Sequence, residues 1–401
     1  MYLHVLSCSL VISILGLGSL LAVRVQVRSC RLMRDCAEAR TCAVSAVELG
    51  LLDIQQDPAW RTTWPSGLWM TDQPLGAGRF NLQGIDPQDN DLADSPYDAV
   101  VLTGIGTKGL ACHKTRVVLV PVIKPIGALT SCLQGSGSLQ VTGGKRITAV
   151  GAPVCTNGQL DNDGTIDGSA EAQSTAHTGT ITGTLTVPGT VKRMPDADAI
   201  SRYAAKATAI SKLATMEKIV LAPGCNPYGT ADPNGLYVMN TANANLTIRD
   251  CRIYGTLVVL AGSGTVTVDN SVLIQNYRSD FPCLLIAGDA VIKCTSASTQ
   301  LSEVTLAVNF NPTGAPYNGS TDTDKKDTYP NEIQGLVHVS GSLRFQQTAR
   351  IVGVVICDGS IACEETNTIT YNASLYACPP QWYTYVDGMK LSPDSWRQMI
   401  D

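Results

Sequence analysis

The first strong pattern along the chain is an uninterrupted apolar one. Residues 3–23, LHVLSCSLVISILGLGSLLAV, carry no charge over 21 positions, and Arg24 closes the run. About 20 residues rising 1.5 Å each cross the roughly 30 Å apolar core of a bilayer, so the pattern predicts a transmembrane helix over residues 1–23. A membrane anchor is preferred to a cleaved secretory signal, because no small-x-small site closes the run. The helix is predicted to continue: residues 24–56 contain no proline, and Ala43, Val44, Val47, Leu51 and Ile54 fall on one face by three-and-four spacing. Asp57-Pro58 ends it, since proline disfavours the helical state in the residue before it.

The period then changes. Short strand-like stretches at 78–82, 98–104 and 109–120 are separated by Gly, Pro, Asn and Asp clusters. Beyond Pro121 the chain becomes pulses of Gly, Thr, Ser and Val that repeat. GLYVMNTANANLTI from Gly235 aligns with GTLVVLAGSGTVTV at an offset of 20 residues, and GLVHVSGSLRF from Gly335 aligns with GVVICDGSIAC at 18. PCLLIAGDAVIKC, from Pro282, is a further copy. One such unit cannot bury its own apolar face, whereas stacked units share a continuous core. The fold class expected is therefore mainly β: a parallel β-helix or β-solenoid over 123–377, right-handed by the usual crossover preference, behind a long N-terminal α-helix. Two interruptions are expected, a helical insertion near 196–214 and a polar loop at 309–332. Residues 378–401 form a C-terminal cap or tail, in which Ser392-Pro393-Asp394 predicts a short helix containing Trp396.

The amphipathic stretch RLMRDCAEARTCAVSAVELGLLDIQQDPAWR, with its Ala- and Glu-containing character from Ala37 to Leu52, resembles the N-terminal helix of the type IV pilin superfamily. Within it, the similarity is to minor pilins of the PilX type and to the large minor pseudopilin of type II secretion, and it covers about the first 120 residues. The resemblance implies that residues 24–122 are a pilin-like helix packed by a small antiparallel sheet, with Trp60 and Trp64 capping the helix end. It also implies a helix that anchors the subunit in the inner membrane and bundles with other pilin-like subunits, with Ala43, Val44, Val47, Leu51 and Ile54 as the assembly face. The implied partners are the inner membrane and other pilin-like subunits or their assembly machinery. The implied location is single-pass in the inner membrane, with the C-terminal domain extracytoplasmic, in the periplasm or at the cell surface. Arg24, Arg28, Arg31 and Arg34 follow the span, and the positive-inside rule would by itself keep that side cytoplasmic. An upstream start supplying a basic leader is the expectation that reconciles the two.

Composition narrows the chemistry. Charged residues are 16% of the chain and 29 Lys+Arg stand against 34 Asp+Glu, so no basic field exists to attract a phosphate backbone and nucleic acid is excluded as a favoured partner. Fourteen cysteines include no CxxC pair, which excludes zinc-ribbon and thioredoxin-type sites. Most lie in apolar runs as small hydrophobes, with Cys225 and Cys378 the better disulfide candidates. Gly104 to Gly109 matches GxGxxG, but LACHKTRVVLV follows where a dinucleotide site needs a helix, so the motif is read as a hairpin turn.

Asp161, Asp163 and Asp167 in QLDNDGTIDG form a weak calcium candidate that lacks EF-hand spacing; otherwise no cofactor is expected. The alternative function is a carbohydrate-binding or polysaccharide-cleaving β-helix acting on surface polysaccharide, with Asp269, Asp280, Asp289 and Asp358 as the available carboxylates. No motif links these acids, and His113, His177 and His338 stand outside any nucleophile pattern, so no catalytic residue is assigned.

Overall fold

The computed structural model describes residues 1–295 and 299–399. The chain divides into two compact units, Met1–Lys124 with Val386–Asp401, and Pro125–Tyr385.

The first unit is built on one helix, α1, spanning Tyr2–Gln56. It ends at Asp57, whose backbone is extended, as the following proline requires. A short turn of helix, α2 (Trp60–Thr63), leads into four antiparallel strands: β1 (Gly67–Leu75), β2 (Gly78–Ile85), β3 (Val100–Lys108) and β4 (Ala111–Pro125). Strand β1 was not read from the sequence because Pro74 and the polar Thr71, Asp72 and Gln73 break its alternation.

The sheet lies across the second half of α1. Cys42, Ala46 and Val47 pack with Phe80, Leu82, Leu102 and Val117. The small residues Ala39, Ala43, Ala46 and Gly50 let the sheet approach closely. At Gly104 and Gly106 an added Cβ would lie 2.1 Å from the Ala43 carbonyl oxygen and 2.0 Å from that of Ala39. The GxGxxG stretch is thus mostly strand β3, and only Gly109, with φ +55°, sits in the hairpin turn. Trp60 and Trp64 both contact Trp69 of β1, with ring centroids 6.1 and 5.5 Å apart.

The C-terminal end corrects the expected tail. Thr384–Leu391 is a strand of this same sheet, and Arg397–Met399 pairs antiparallel with β4 through Arg397↔Arg116. The helix expected around Trp396 does not form. Ser392 donates its N–H to Val118 and the Ser395 hydroxyl donates to the same carbonyl, so pairing with a sheet edge overrides the local helix signal. The last two positions of the 378–401 segment lie outside the described residues.

The second unit is a parallel β-solenoid with three ladders of short strands. The repeat alignment fixes its register: Leu236↔Thr256 and Leu246↔Val266 pair at the 20-residue offset, Gly335↔Gly353 and Leu343↔Ile361 at 18. The ladders differ in pattern, and the difference has a cause. Through Thr265, Val266, Thr267 and Val268 residues alternate out and in, because one face meets solvent. Through Leu284–Ile286, Leu336–Val339 and Val354–Cys357 every position is buried, because the outer face is also covered. The cover includes α3 (Ala199–Lys206), whose Ile200 and Tyr203 belong to a cluster with Leu236, Val258, Leu285, Leu336 and Val354. Of the insertion expected at 196–214, only this part is helix, and Thr208–Ile210 is already a ladder strand.

The stacking order is not the sequence order. Leu133–Gly135 pairs with Val154–Thr156 on one side and with Val355–Cys357 on the other. Likewise Leu139–Val141 pairs with Ile361–Cys363, and 147–150 with 367–370. The first turns of the chain are therefore laid on the last ones. From there strands add outward to Leu185–Thr186, and after α3 the chain resumes at Thr208–Ile210, which pairs with 237–239. Residues between Leu306 and Thr328, most of the loop expected at 309–332, cover the outer side of a third ladder, where Phe310, Ala315 and Tyr329 pack on Val220 and Leu273; Glu332 already begins the strand Glu332–Val339.

Candidate functional site

The feature of the first unit that stands out chemically is the asymmetry of α1. Residues 1–34 are all exposed, and the apolar window within them touches nothing else in the protein. Among the described residues this is the one helix long and apolar enough to cross a membrane. From Ala39 to Gly50 one face of the same helix, Ala39, Cys42, Ala43, Ala46, Val47 and Gly50, is buried under its own sheet. Between the two halves lies a charged junction: Arg24, Arg28 and Arg31 recur at four- and three-residue spacing, and Arg34 donates to Glu38 Oε1 at 3.0 Å. Lys108 Nζ reaches Glu38 Oε2 at 3.2 Å, and these two cations, Arg34 foremost, hold the Glu38 carboxyl below its ordinary value.

The five positions of the predicted assembly face separate into three environments. Ala43 and Val47 are fully buried beneath the subunit's own sheet, so these two cannot face another helix. Leu51 and Ile54 line a groove of about 770 Å³ with Trp60, Arg61, Leu119 and Met389. Val44 is half-buried on the flank. Three-and-four spacing marks an apolar face but does not say whether its partner lies in the same chain. The exposed apolar surface of α1 lies in its first half, with Leu10, Ile14, Leu17 and Leu21 among its residues.

Asp161, Asp163 and Asp167 are not gathered into one site. Asp163 Oδ1 accepts from the Thr178 hydroxyl at 2.8 Å, Asp167 Oδ1 from the Thr182 hydroxyl at 2.9 Å, and Asp161 from the Gln159 amide. They lie on separate strands and turns, Asp163 and Asp167 tied to the next turn of the ladder and Asp161 to Gln159 of its own strand, which corrects the calcium assignment. The acids that do converge among the described residues are Asp86, Asp89 and Asp94 in one loop, and Asp322 and Asp327 of another with Glu303 from the helical turn Glu303–Leu306, each group with oxygens within 4.8 Å of one another. The signal was in the sequence as DPQDNDLAD and TDTDKKD, acid-dense segments without strand periodicity.

The carboxylates weighed for carbohydrate chemistry each have a structural partner. Asp280 is paired with Arg278, and Asp289 Oδ1 accepts the Ser342 N–H at 2.8 Å. Asp269 sits in the ladder between Arg249 and Lys293. Asp358 Oδ2 is 3.0 Å from His338 Nε2, while His338 Nδ1 is 2.9 Å from the Tyr383 hydroxyl. His338 is thus a buried, doubly hydrogen-bonded group between strand and cover. His113 lies in β4, and exposed His177 in a ladder strand contacts the Thr175 hydroxyl. Cys225 and Cys378 are free thiols, as are the other cysteines. Cys225 makes a weak contact to the Val220 carbonyl, and Cys378 is exposed.

No protein-family model and no curated protein matches the chain. Among solved structures, the competence-associated pilin ComZ from Thermus thermophilus is similar over 92% of this chain and 97% of its own, at 11% identity and a TM-score of 0.32. The DUF3494 domain of Shewanella frigidimarina ice-binding protein_1 covers 63% of this chain and 98% of its own, at 13% identity and a TM-score of 0.28. An ice-binding protein from the Antarctic ascomycete Antarctomyces psychrotrophicus covers 61% and 96%, at 14% identity and a TM-score of 0.26. At such TM-scores and identities these neighbours carry no argument.

Proposed function

We propose that the chain is a membrane-anchored, pilin-like structural protein of the cell envelope that displays a β-solenoid outside the inner membrane. The observation that carries this reading is the division of α1: one continuous helix whose second half is satisfied by its own sheet and whose first half, 1–34, is exposed throughout. An exposed run of Leu, Ile and Val of this length has no stable place in water, where each buried large aliphatic side chain gains about 1.5–3 kcal/mol. In a bilayer the same run is solvated, and on leaving it the run can pack on equivalent helices of other subunits. Assembly through α1 is therefore the mechanism, with the inner membrane and other pilin-like subunits or their assembly machinery as partners. The solenoid contributes a surface for contact.

The test is sedimentation of the native protein with membranes after alkaline carbonate washing, together with cross-linking through Cys8, which is exposed on α1. Retention in the pellet and a cross-linked species above the monomer support the reading. Release by carbonate, or a mature chain that lacks residues 1–23, overturns it and favours a released carbohydrate-binding solenoid.

A further inference from the structure

The β-solenoid finishes differently at its two extremities. At one of them the stack ends in a turn formed by Ser174–His177, Thr180–Ile181 and Leu185–Thr186. These strands pair with residues 159–162, 165–166 and 170–171 of the turn beneath, and among the described residues no strand is laid on their other side. The chain does not fold back over this turn. Gly189 donates its N–H to the Ala172 carbonyl and Lys192 donates its own to Asn157 Oδ1, so residues 189–192 run back along the earlier turns. The core is open here as well. Ile147, Ile166 and Ile181 follow one another in one ladder, as Val154, Ala170 and Leu185 do in another, and in each the last member alone is only half-buried. The opposite extremity is closed: its strands Thr208–Ile210, Thr215–Glu217 and Val220–Leu221 bury Ile210, Met216 and Leu221, and Tyr228 packs on the same core.

The chemistry of the open turn says what it fits. An edge strand presents a row of unpaired N–H and C=O groups, and natural proteins blunt such edges with lysine, inward charges, proline or a covering segment. From Ala172 to Val191 there is no Asp, Glu, Lys or Arg, and the one proline, Pro188, lies beyond the last strand. Several side chains are satisfied from beneath: the Thr175 hydroxyl donates to the Leu160 carbonyl at 3.0 Å, and those of Thr178 and Thr182 donate to Asp163 and Asp167 of the preceding turn. What stays unmet is backbone and the end of the core. A single extended peptide satisfies one of the three edges, whereas an identical closed turn meets all three at once. Two uncharged ends also meet without repulsion. The 20 residues 172–191 match the lower bound of the roughly 20–30 residues a side found in stable interfaces.

We propose that this open end docks on the same end of a second copy of this chain, in a two-fold contact made by pairing of the strand edges. After a two-fold rotation the two facing turns run in opposite senses, so the edges meet antiparallel and Ile181 and Leu185 are covered. The contact uses the same patch on both copies and is therefore closed. It does not propagate into a stack of solenoids, because the opposite extremity is already covered and carries Lys212, Glu217 and Lys218. It is also independent of α1.

The experiment is hydrogen exchange on the full chain in detergent at low and high protein concentration, comparing wild type, A176K/T186K and T215K. Ala176 and Thr186 are exposed and stand beside Asp161 and Glu171 in the ladder, so the single copy accommodates lysine there, while docked copies bring four lysines together. Exchange at 174–186 should slow as concentration rises, with no change at 208–221. A176K/T186K should weaken self-association through this end by about tenfold or more, and T215K, at the closed extremity, should retain it. Wild-type exchange at 174–186 that ignores concentration overturns the contact, as does concentration-dependent protection that survives A176K/T186K. Protection spreading to 208–221 overturns it in favour of head-to-tail stacking. Association through α1 that leaves 174–186 unchanged overturns this contact and leaves the membrane-anchored reading standing. The wild-type comparison decides the matter even if the double variant fails to fold.

Discussion

At the residue scale, burial explains most of the chemistry. Cys283 and Cys294 point into the solenoid, and burial pushes their thiols up to about 12. The thiolate is the nucleophile, so these residues should resist alkylation in the folded protein. Cys112 and Cys378 are exposed and should be modified by iodoacetamide at mildly alkaline pH within the time that leaves Cys283 and Cys294 unlabelled, as peptide mass spectrometry would show. Labelling of all four at one rate would contradict the inward placement.

A second residue-scale prediction concerns Asp94. Partial desolvation in the acid-rich loop, followed by its hydrogen bond to Asp89, raises the carboxyl of this exposed residue above its ordinary value. A raised folded-state value means that the group's contribution is fully present below the unfolded value and is lost as pH climbs through the raised one. D94N removes that loss. Its melting temperature should match wild type at acid pH and exceed it near neutrality, in calcium-free buffer.

At the element scale, the contact between α1 and its sheet depends on absent side chains. The helix approaches β3 so closely that Gly106 has no room for a methyl group against the Ala39 carbonyl, which is backbone and cannot swing away. Gly106→Ala should therefore destabilise the first unit by about 1–3 kcal/mol, as overpacking does, while Thr103→Ala, on the half-buried side of the same strand, should stay within about 0.5 kcal/mol. Chemical denaturation followed by tryptophan fluorescence is a direct measure, since Trp60, Trp64 and Trp69 cluster in this unit. Equal effects of the two substitutions would mean that the helix is not seated as described. The same element shows why spacing misled: Ala43 and Val47 repeat as an assembly face would, and the sheet that covers them comes from residues 67–125, beyond any helical window.

At the scale of the whole molecule, the order of the turns is the main result. Because Val355 pairs with Leu133, the segments 133–150 and 350–371 share one stretch of core although residues paired between them stand more than 200 positions apart in sequence. Val355→Asp would place a charge among buried aliphatic side chains. Hydrogen exchange should then show protection falling at 133–135 and 154–156 together with 336–339, while 208–210 retains more of it. Loss confined to 336–357 would instead indicate turns stacked in chain order. Contacts of such long sequence separation slow folding, because loop closure must precede them.

Much of the architecture is legible in the residues alone. The uncharged run, the proline after Asp57 and the repeats at offsets of 20 and 18 report helix length, helix end and ladder register, because each is a local or periodic property. The apolar face around Ala43, the convergence of Asp322 and Asp327 on Glu303, the edge strand at Arg397–Met399 and the joining of the first turns to the last were decided only by tertiary structure. Periodicity states that a side chain needs a partner, and only the folded chain supplies its identity, since the partners are separated by tens to hundreds of residues and chosen by packing.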